Sequence, residues 1–99
     1  MFIALYEFKV KSGFEEQFET NWKIVTEAIY KNRGSLGSRL HKSVEGTYIA
    51  YAQWPSENQF NLDIPLPELA QTALALMKDA CNEQKILKLM TVTSDLLKN

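Results

Sequence analysis

A chain of 99 residues leaves room for one domain, expected to span residues 1–99, with a thin core by surface-to-volume scaling. With 45% hydrophobic and 23% charged residues it is globular rather than disordered, and a net charge of −1 lacks the electrostatic footprint of a nucleic-acid binder. The single cysteine, Cys81, excludes an intrachain disulfide and a cysteine-rich zinc cluster.

Residues 2–11 alternate Phe2, Ala4, Tyr6, Phe8 and Val10 against Ile3, Leu5, Glu7, Lys9 and Lys11, the period of a strand. Ser12 and Glu15 have the spacing of a capping box, which predicts a helix start. Phe14, Phe18, Trp22, Val25 and Ile29 then recur at helical spacing until Asn32, Arg33 and Gly34 supply a stop. Residues 36–44 read as a second strand, Glu45 and Gly46 as a hairpin turn, and residues 47–54 as a third strand closed by Pro55. Ser56 and Gln59 suit the cap of a short helical turn through Phe60, and residues 61–65 read as loop. Pro67 suits a first helical position, and Leu69, Ala70, Ala73, Leu74, Met77, Ala80 and Cys81 mark a helix ending near Asn82. Residues 86–94 complete the pattern as a fourth strand.

The order β-α-β-β-α-β with right-handed crossovers predicts an α+β, ferredoxin-like fold: a four-stranded antiparallel sheet with both helices on one face. The opposite face ought then to be polar. Instead, alternation aims Ile3, Leu5, Ile49, Tyr51, Ile86, Met90 and Val92 at it. So large an apolar patch is unusual on a soluble monomer, which predicts a homodimer joined sheet to sheet through Ile3, Leu5, Ile49, Tyr51 and Met90. No apolar run is long enough for a membrane helix, so no membrane partner is expected. The beginning of the chain carries no basic leader or cleavage site, so a cytoplasmic location is expected.

Three segments carry a family resemblance. They are Val10-Lys11-Ser12-Gly13-Phe14-Glu15-Glu16-Gln17-Phe18, Arg33-Gly34-Ser35-Leu36-Gly37-Ser38-Arg39-Leu40-His41-Lys42-Ser43, and Tyr51-Ala52-Gln53-Trp54-Pro55-Ser56-Glu57-Asn58-Gln59-Phe60. In order and spacing they resemble the antibiotic biosynthesis monooxygenases of the dimeric α/β barrel superfamily. The resemblance covers about the first sixty residues. It implies ferredoxin-like dimers with a ligand cavity between sheet and helices. Some members oxygenate polyphenolic or quinol substrates with neither metal nor flavin, and others degrade haem. The cofactor-free pattern sets an asparagine four residues before a tryptophan and a tyrosine six residues after it. Here those positions hold Ala50, Trp54 and Phe60, so only the tryptophan matches. The first-strand asparagine of the haem degraders is replaced by Tyr6, and the second helical region has no histidine, which disfavours haem. The function expected is a cofactor-independent monooxygenase of an aromatic phenol or quinol, with no metal and no cofactor. The alternative is a small-molecule-binding barrel without chemistry.

The candidate residues follow. Trp54 ends the third strand on the helix side and can stack a flat ligand, or simply fill the core. Trp22, on the inner stripe of the first helix, and Phe60 are the other substrate-binding candidates, whereas Asn21 beside Trp22 is expected to face solvent. Tyr6 can orient or deprotonate a phenol through its hydroxyl, unless backbone satisfies it. His41, the only histidine, has a pKa suited to proton abstraction near neutrality. It stands in phase with Arg39, and its ordinary alternative is an exposed edge-strand side chain beside Lys42. Cys81 reads as an inert core thiol, and Glu15, Glu16 and Glu19 as a solvated helix start favoured by the dipole. RNA-recognition motifs share the topology, but Glu45 stands where they carry a basic residue, so RNA is not expected as a partner.

Overall fold

A computed structural model describes residues 1–98. Its elements are β1 (Phe2–Val10), α1 (Glu15–Arg33), β2 (Ser38–Lys42), β3 (Tyr48–Trp54), α2 (Glu57–Asn61), α3 (Glu68–Asp79) and β4 (Cys81–Thr91). The four strands form one sheet in the order β2-β3-β1-β4, with every neighbouring pair antiparallel. This is the ferredoxin-like arrangement that the sequence predicts, with α2 as an added single turn. Among the described residues no helix is long and apolar enough to cross a membrane.

Alternation does the work in β1 and β3. Phe2, Ala4 and Phe8 are buried on the helix side, as are Tyr48, Ala50, Ala52 and Trp54. Two aromatic clusters result. Phe8, Phe18, Tyr48 and Met77 pack at one end, and Phe2, Trp54 and Phe60 at the other. Tyr6 is half-buried and touches both. Phe18 is fully enclosed, which contributes about 1.5–3 kcal/mol by removing its ring from water.

Local boundaries differ from the sequence pattern where tertiary pairing wins. Glu15 begins α1, and its carboxylate accepts from the Gly13 amide at 3.0 Å; Ser12 does not cap. Gly34 ends α1 in the left-handed conformation, and Ser56 Oγ accepts from the Gln59 amide to start α2, both as the sequence suggests. Asn21 is a correction. It is buried, because that side of α1 lies under α3: Gln17, one turn earlier, donates to the Leu76 carbonyl of α3. The Asn21 amide is satisfied by donating to the Gln17 carbonyl at 2.8 Å. The end of α3 and the start of β4 also move. Lys11 N–H donates to the Ala80 carbonyl and Val10 pairs with Cys81, so the sheet captures residues that continue the helical stripe.

β4 corrects the reading of the outer face. Leu5 faces Lys88 but Tyr6 faces Ile86, so Leu87 is a bulged, unpaired residue that switches the alternation. Ile86 therefore stands on the helix side, and Lys85 and Lys88 take outer positions. The outer face is apolar at Ile3, Leu5, Ile49, Tyr51 and Met90, but Ile3 is a correction to the expected exposed patch, since it is already buried within the single chain. Toward the other end the face is charged, with Lys9 3.2 Å from Glu83 and Lys85 3.6 Å from Glu7. Regular pairing stops at Thr91, short of the expected Ser94. Residues 94–97 then border the same depression as Ile3, Tyr51 and Gln53.

Candidate functional site

The helix side of the sheet has small residues where large ones would close the core. Ala4, Ala50 and Ala52 fill the stretch between Tyr6 and Trp54, and their methyl groups are too short to fill the space beneath the helices. The result is a half-open cavity of about 180 Å³. Ala50 and Ala52 form its floor; Trp22, Val25, Thr26 and Ile29 of α1 and Leu74 and Met77 of α3 form its roof. Tyr6, Trp54, Ser35, Ser38 and Gln84 supply the polar atoms around it.

Most of those polar atoms are already engaged. Ser35 Oγ donates to the Gln53 carbonyl and accepts from the Gly37 amide at 3.0 Å, and Ser38 Oγ donates to the Tyr51 carbonyl at 3.0 Å. Trp54 differs. Its side chain is 5% exposed, and its indole Nε1–H has no hydrogen-bond partner. An orphaned buried donor costs about 1–3 kcal/mol. Burial raises the pKa of the Tyr6 phenol, with Arg33 pulling weakly the other way. Tyr6 is thus protonated at neutral pH, and offers an O–H donor rather than a base.

The structure brings three of the five site candidates together: Tyr6, Trp22 and Trp54 all line the cavity. Phe60 does not line it. It packs edge-on against Trp54 at 5.5 Å between ring centres, and against Phe2 at 5.4 Å, so it braces the wall from behind. Gln59 anchors that brace, donating from Nε2 to the Arg33 carbonyl at 2.7 Å, and Arg33 Nε donates onward to the Ile64 carbonyl. His41 stands apart. It pairs with Ile49, and Arg39 with Tyr51, on the face away from the helices. Its Nδ1 lies 3.1 Å from the Ile49 carbonyl, and it has no contact with the cavity that Tyr6 and Trp54 share.

Thr26 and Gln84 were not anticipated. Thr26 lies one turn beyond Trp22 and was within reach of helical spacing. Gln84 was hidden, because its strand position depends on where α3 ends and on the bulge at Leu87. Cys81 donates its S–H to the Met77 carbonyl, and burial raises its pKa, in keeping with an inert thiol. Among the described residues no cluster of histidine, cysteine and carboxylates could hold a metal ion.

The sequence profile described as antibiotic biosynthesis monooxygenase matches residues 1–62. Comparison with curated proteins gives no match. Several solved structures share the fold. A Bordetella bronchiseptica protein named for the same family superposes with a TM-score of 0.76 at 19% identity, covering 94% of this chain and 97% of that one. SnoaB, a cofactor-independent oxygenase from Streptomyces nogalater, superposes at 0.74 with 16% identity, over 98% of this chain and 97% of its own. Rv0793 from Mycobacterium tuberculosis does so at 0.73 with 7% identity, over 97% and 98%. At these identities the superpositions establish the fold.

Proposed function

Since the chain belongs to the antibiotic biosynthesis monooxygenase family, we propose that it is a cofactor-independent monooxygenase that binds an aromatic phenol or quinol between its sheet and helices. What supports this reading is a mostly apolar cavity between sheet and helices walled by the rings of Tyr6, Trp22 and Trp54, with the buried Trp54 Nε1–H left without a hydrogen-bond partner. Such a site suits a flat ligand that brings one oxygen acceptor. The same donor stabilises that oxygen more strongly as it gains negative charge, because hydrogen bonds to charged acceptors are roughly twice as strong as neutral ones.

In the reaction, the bound phenol gives its proton to solvent at the open side of the cavity, and its electron-rich ring carbon is attacked by dioxygen. One oxygen atom remains on that carbon as a carbonyl. The other leaves as water with the ring C–H and phenolic hydrogens, so the substrate itself supplies both electrons. Trp54 would hold the phenolate oxygen, Tyr6 would orient the ring through its O–H, and Trp22 would cover it. His41 has no part in this scheme. An oxygen electrode with a panel of phenols and quinols tests it: uptake above the blank that falls at least about tenfold in Trp54→Phe is expected. Tight ligand binding without uptake for any panel member would leave only a binding protein.

We further propose that the chain works as a homodimer joined through the outer sheet face, with Leu5, Ile49, Tyr51 and Met90 at its centre. What supports this is the apolar run on a sheet face that no helix covers.

A further inference from the structure

We propose that a cationic depression between α1 and the β2 edge is an anion subsite beside the cavity, and that the aromatic ligand carries a carboxylate held there. The inference rests on the reading above that an aromatic ligand enters the cavity, and it goes further by naming the charged group that the ligand brings. β2 is an edge strand, so no further strand closes that side of the sheet. Trp22 and Ser38 line both the cavity and this depression, so the two spaces adjoin there. None of the residues lining the cavity is charged, whereas the depression is lined mainly by charged side chains. A ligand with an apolar ring and one anionic group is therefore matched in two parts, the ring inside and the charge beside it.

The sign of the depression is opposite to that of the whole chain, whose net charge is −1. Lys23, Arg39 and Lys42 line it against one acid, Glu19, with the His41 imidazole beside them. Lys23 comes from α1 and Lys42 from the helix side of β2, opposite Tyr48, while Arg39 and His41 reach it round the edge from the outer face. Glu19 is already engaged, accepting from the Tyr48 hydroxyl at 3.1 Å. It makes no ion pair with Lys23, although Lys23 stands one turn along α1, where such pairs form readily. Among the described residues the ion pairs join Lys9 to Glu83, Lys31 to Glu27 and Lys85 to Glu7, so all three cations of the depression are without one. The Lys42 ammonium lies 5.6 Å from the centre of the Tyr48 ring, which holds it at the wall rather than loose in water. Cations gathered round one depression with apolar walls focus their field on it, and an anion bound among them relieves their mutual repulsion. A carboxylate also takes charge-assisted hydrogen bonds from such groups, which a neutral amide of the same shape does not match.

Equilibrium dialysis of the intact protein at neutral pH tests this with 2-naphthoate and 2-naphthamide, which share a ring system and shape and differ in charge. At low salt naphthoate is expected to bind at least about tenfold tighter than naphthamide, and high salt should shrink that advantage to about threefold or less. Lys23 and Lys42 are exposed, so replacing them leaves the core intact. Lys23→Gln and Lys42→Gln should each cut the advantage about threefold, and together bring it to within about twofold of none, with naphthamide binding unchanged. Glu19→Gln keeps an acceptor for Tyr48 but removes the opposing charge, so naphthoate should bind about threefold tighter. Equal binding of the two probes to the unaltered protein would overturn the anion subsite and leave the proposed function standing. So would a naphthoate advantage that survives the loss of both lysines. Failure of both probes to bind would overturn the subsite and the aromatic-ligand reading together.

Discussion

Gly34→Ala tests how the end of the cavity is held. Gly34 closes α1 at φ +77°, and a Cβ built there would lie 2.6 Å from Gln59 Nε2. A side chain in the left-handed region costs about 1–2 kcal/mol. Displacing Gln59 also breaks its hydrogen bond to the Arg33 carbonyl, worth about 0.5–1.5 kcal/mol. Together the loss is about 2–3 kcal/mol. For a chain of this length that is roughly a 10–20 °C fall in Tm. Urea denaturation followed by circular dichroism measures it. Gln59→Ala alone should cost about 1 kcal/mol. In the double variant the clash is gone and the bond is counted once, so the combined loss should fall about 1 kcal/mol short of the sum. Strict additivity, or a loss below about 0.5 kcal/mol for Gly34→Ala, would mean that Gln59 does not hold the end of α1.

Other outcomes follow from the same geometry. Ile49→Asp places an unpaired carboxylate at the proposed interface once per protomer, and should shift the dimer toward monomer at least about a hundredfold by light scattering across a dilution series; an unmoved dimer would exclude that face. His41→Ala should leave oxygen uptake within about twofold, since the imidazole lies on the far side of the sheet; a hundredfold loss would restore it to the mechanism. Burial raises the pKa of Tyr6, and of Tyr48 with help from its hydrogen bond to Glu19. The folded state therefore holds these protons more tightly than the unfolded chain. Their contribution is intact below about pH 10 and is lost as pH climbs through the folded-state values, a slope that Tyr6→Phe and Tyr48→Phe should each flatten in denaturation at alkaline pH.

What the sequence made legible is local. Strict alternation in β1 and β3 assigned Phe2, Ala4 and Phe8, and Tyr48 through Trp54, to the correct face, because a strand has no freedom to break period two without a bulge. The same rule, joined to helical spacing in α1, placed Tyr6, Trp54 and Trp22 on one cavity. What was missed depends on contacts between elements. The bulge at Leu87 exists because β4 must follow β1, and no pattern within β4 announces it. Asn21 is buried because α3 lies against that side of α1. Phe60 sits behind Trp54 rather than beside the ligand space because α2 docks on the end of α1 through Gln59, a contact between segments far apart in the chain. His41 and Arg39 were correctly placed in phase, but their face was fixed only by the register of β2 against β3.

The oxygen transfer proposed for this cavity, without a cofactor, is open to isotope labelling. Isotopically labelled dioxygen is supplied to the purified protein with a phenol or quinol, and the product is weighed by mass spectrometry. One labelled oxygen atom per product molecule is expected, formed with one dioxygen consumed, and a rate reduced at least about tenfold in Trp54→Phe. Unlabelled product, or labelling that proceeds equally well without the Trp54 donor, would contradict it.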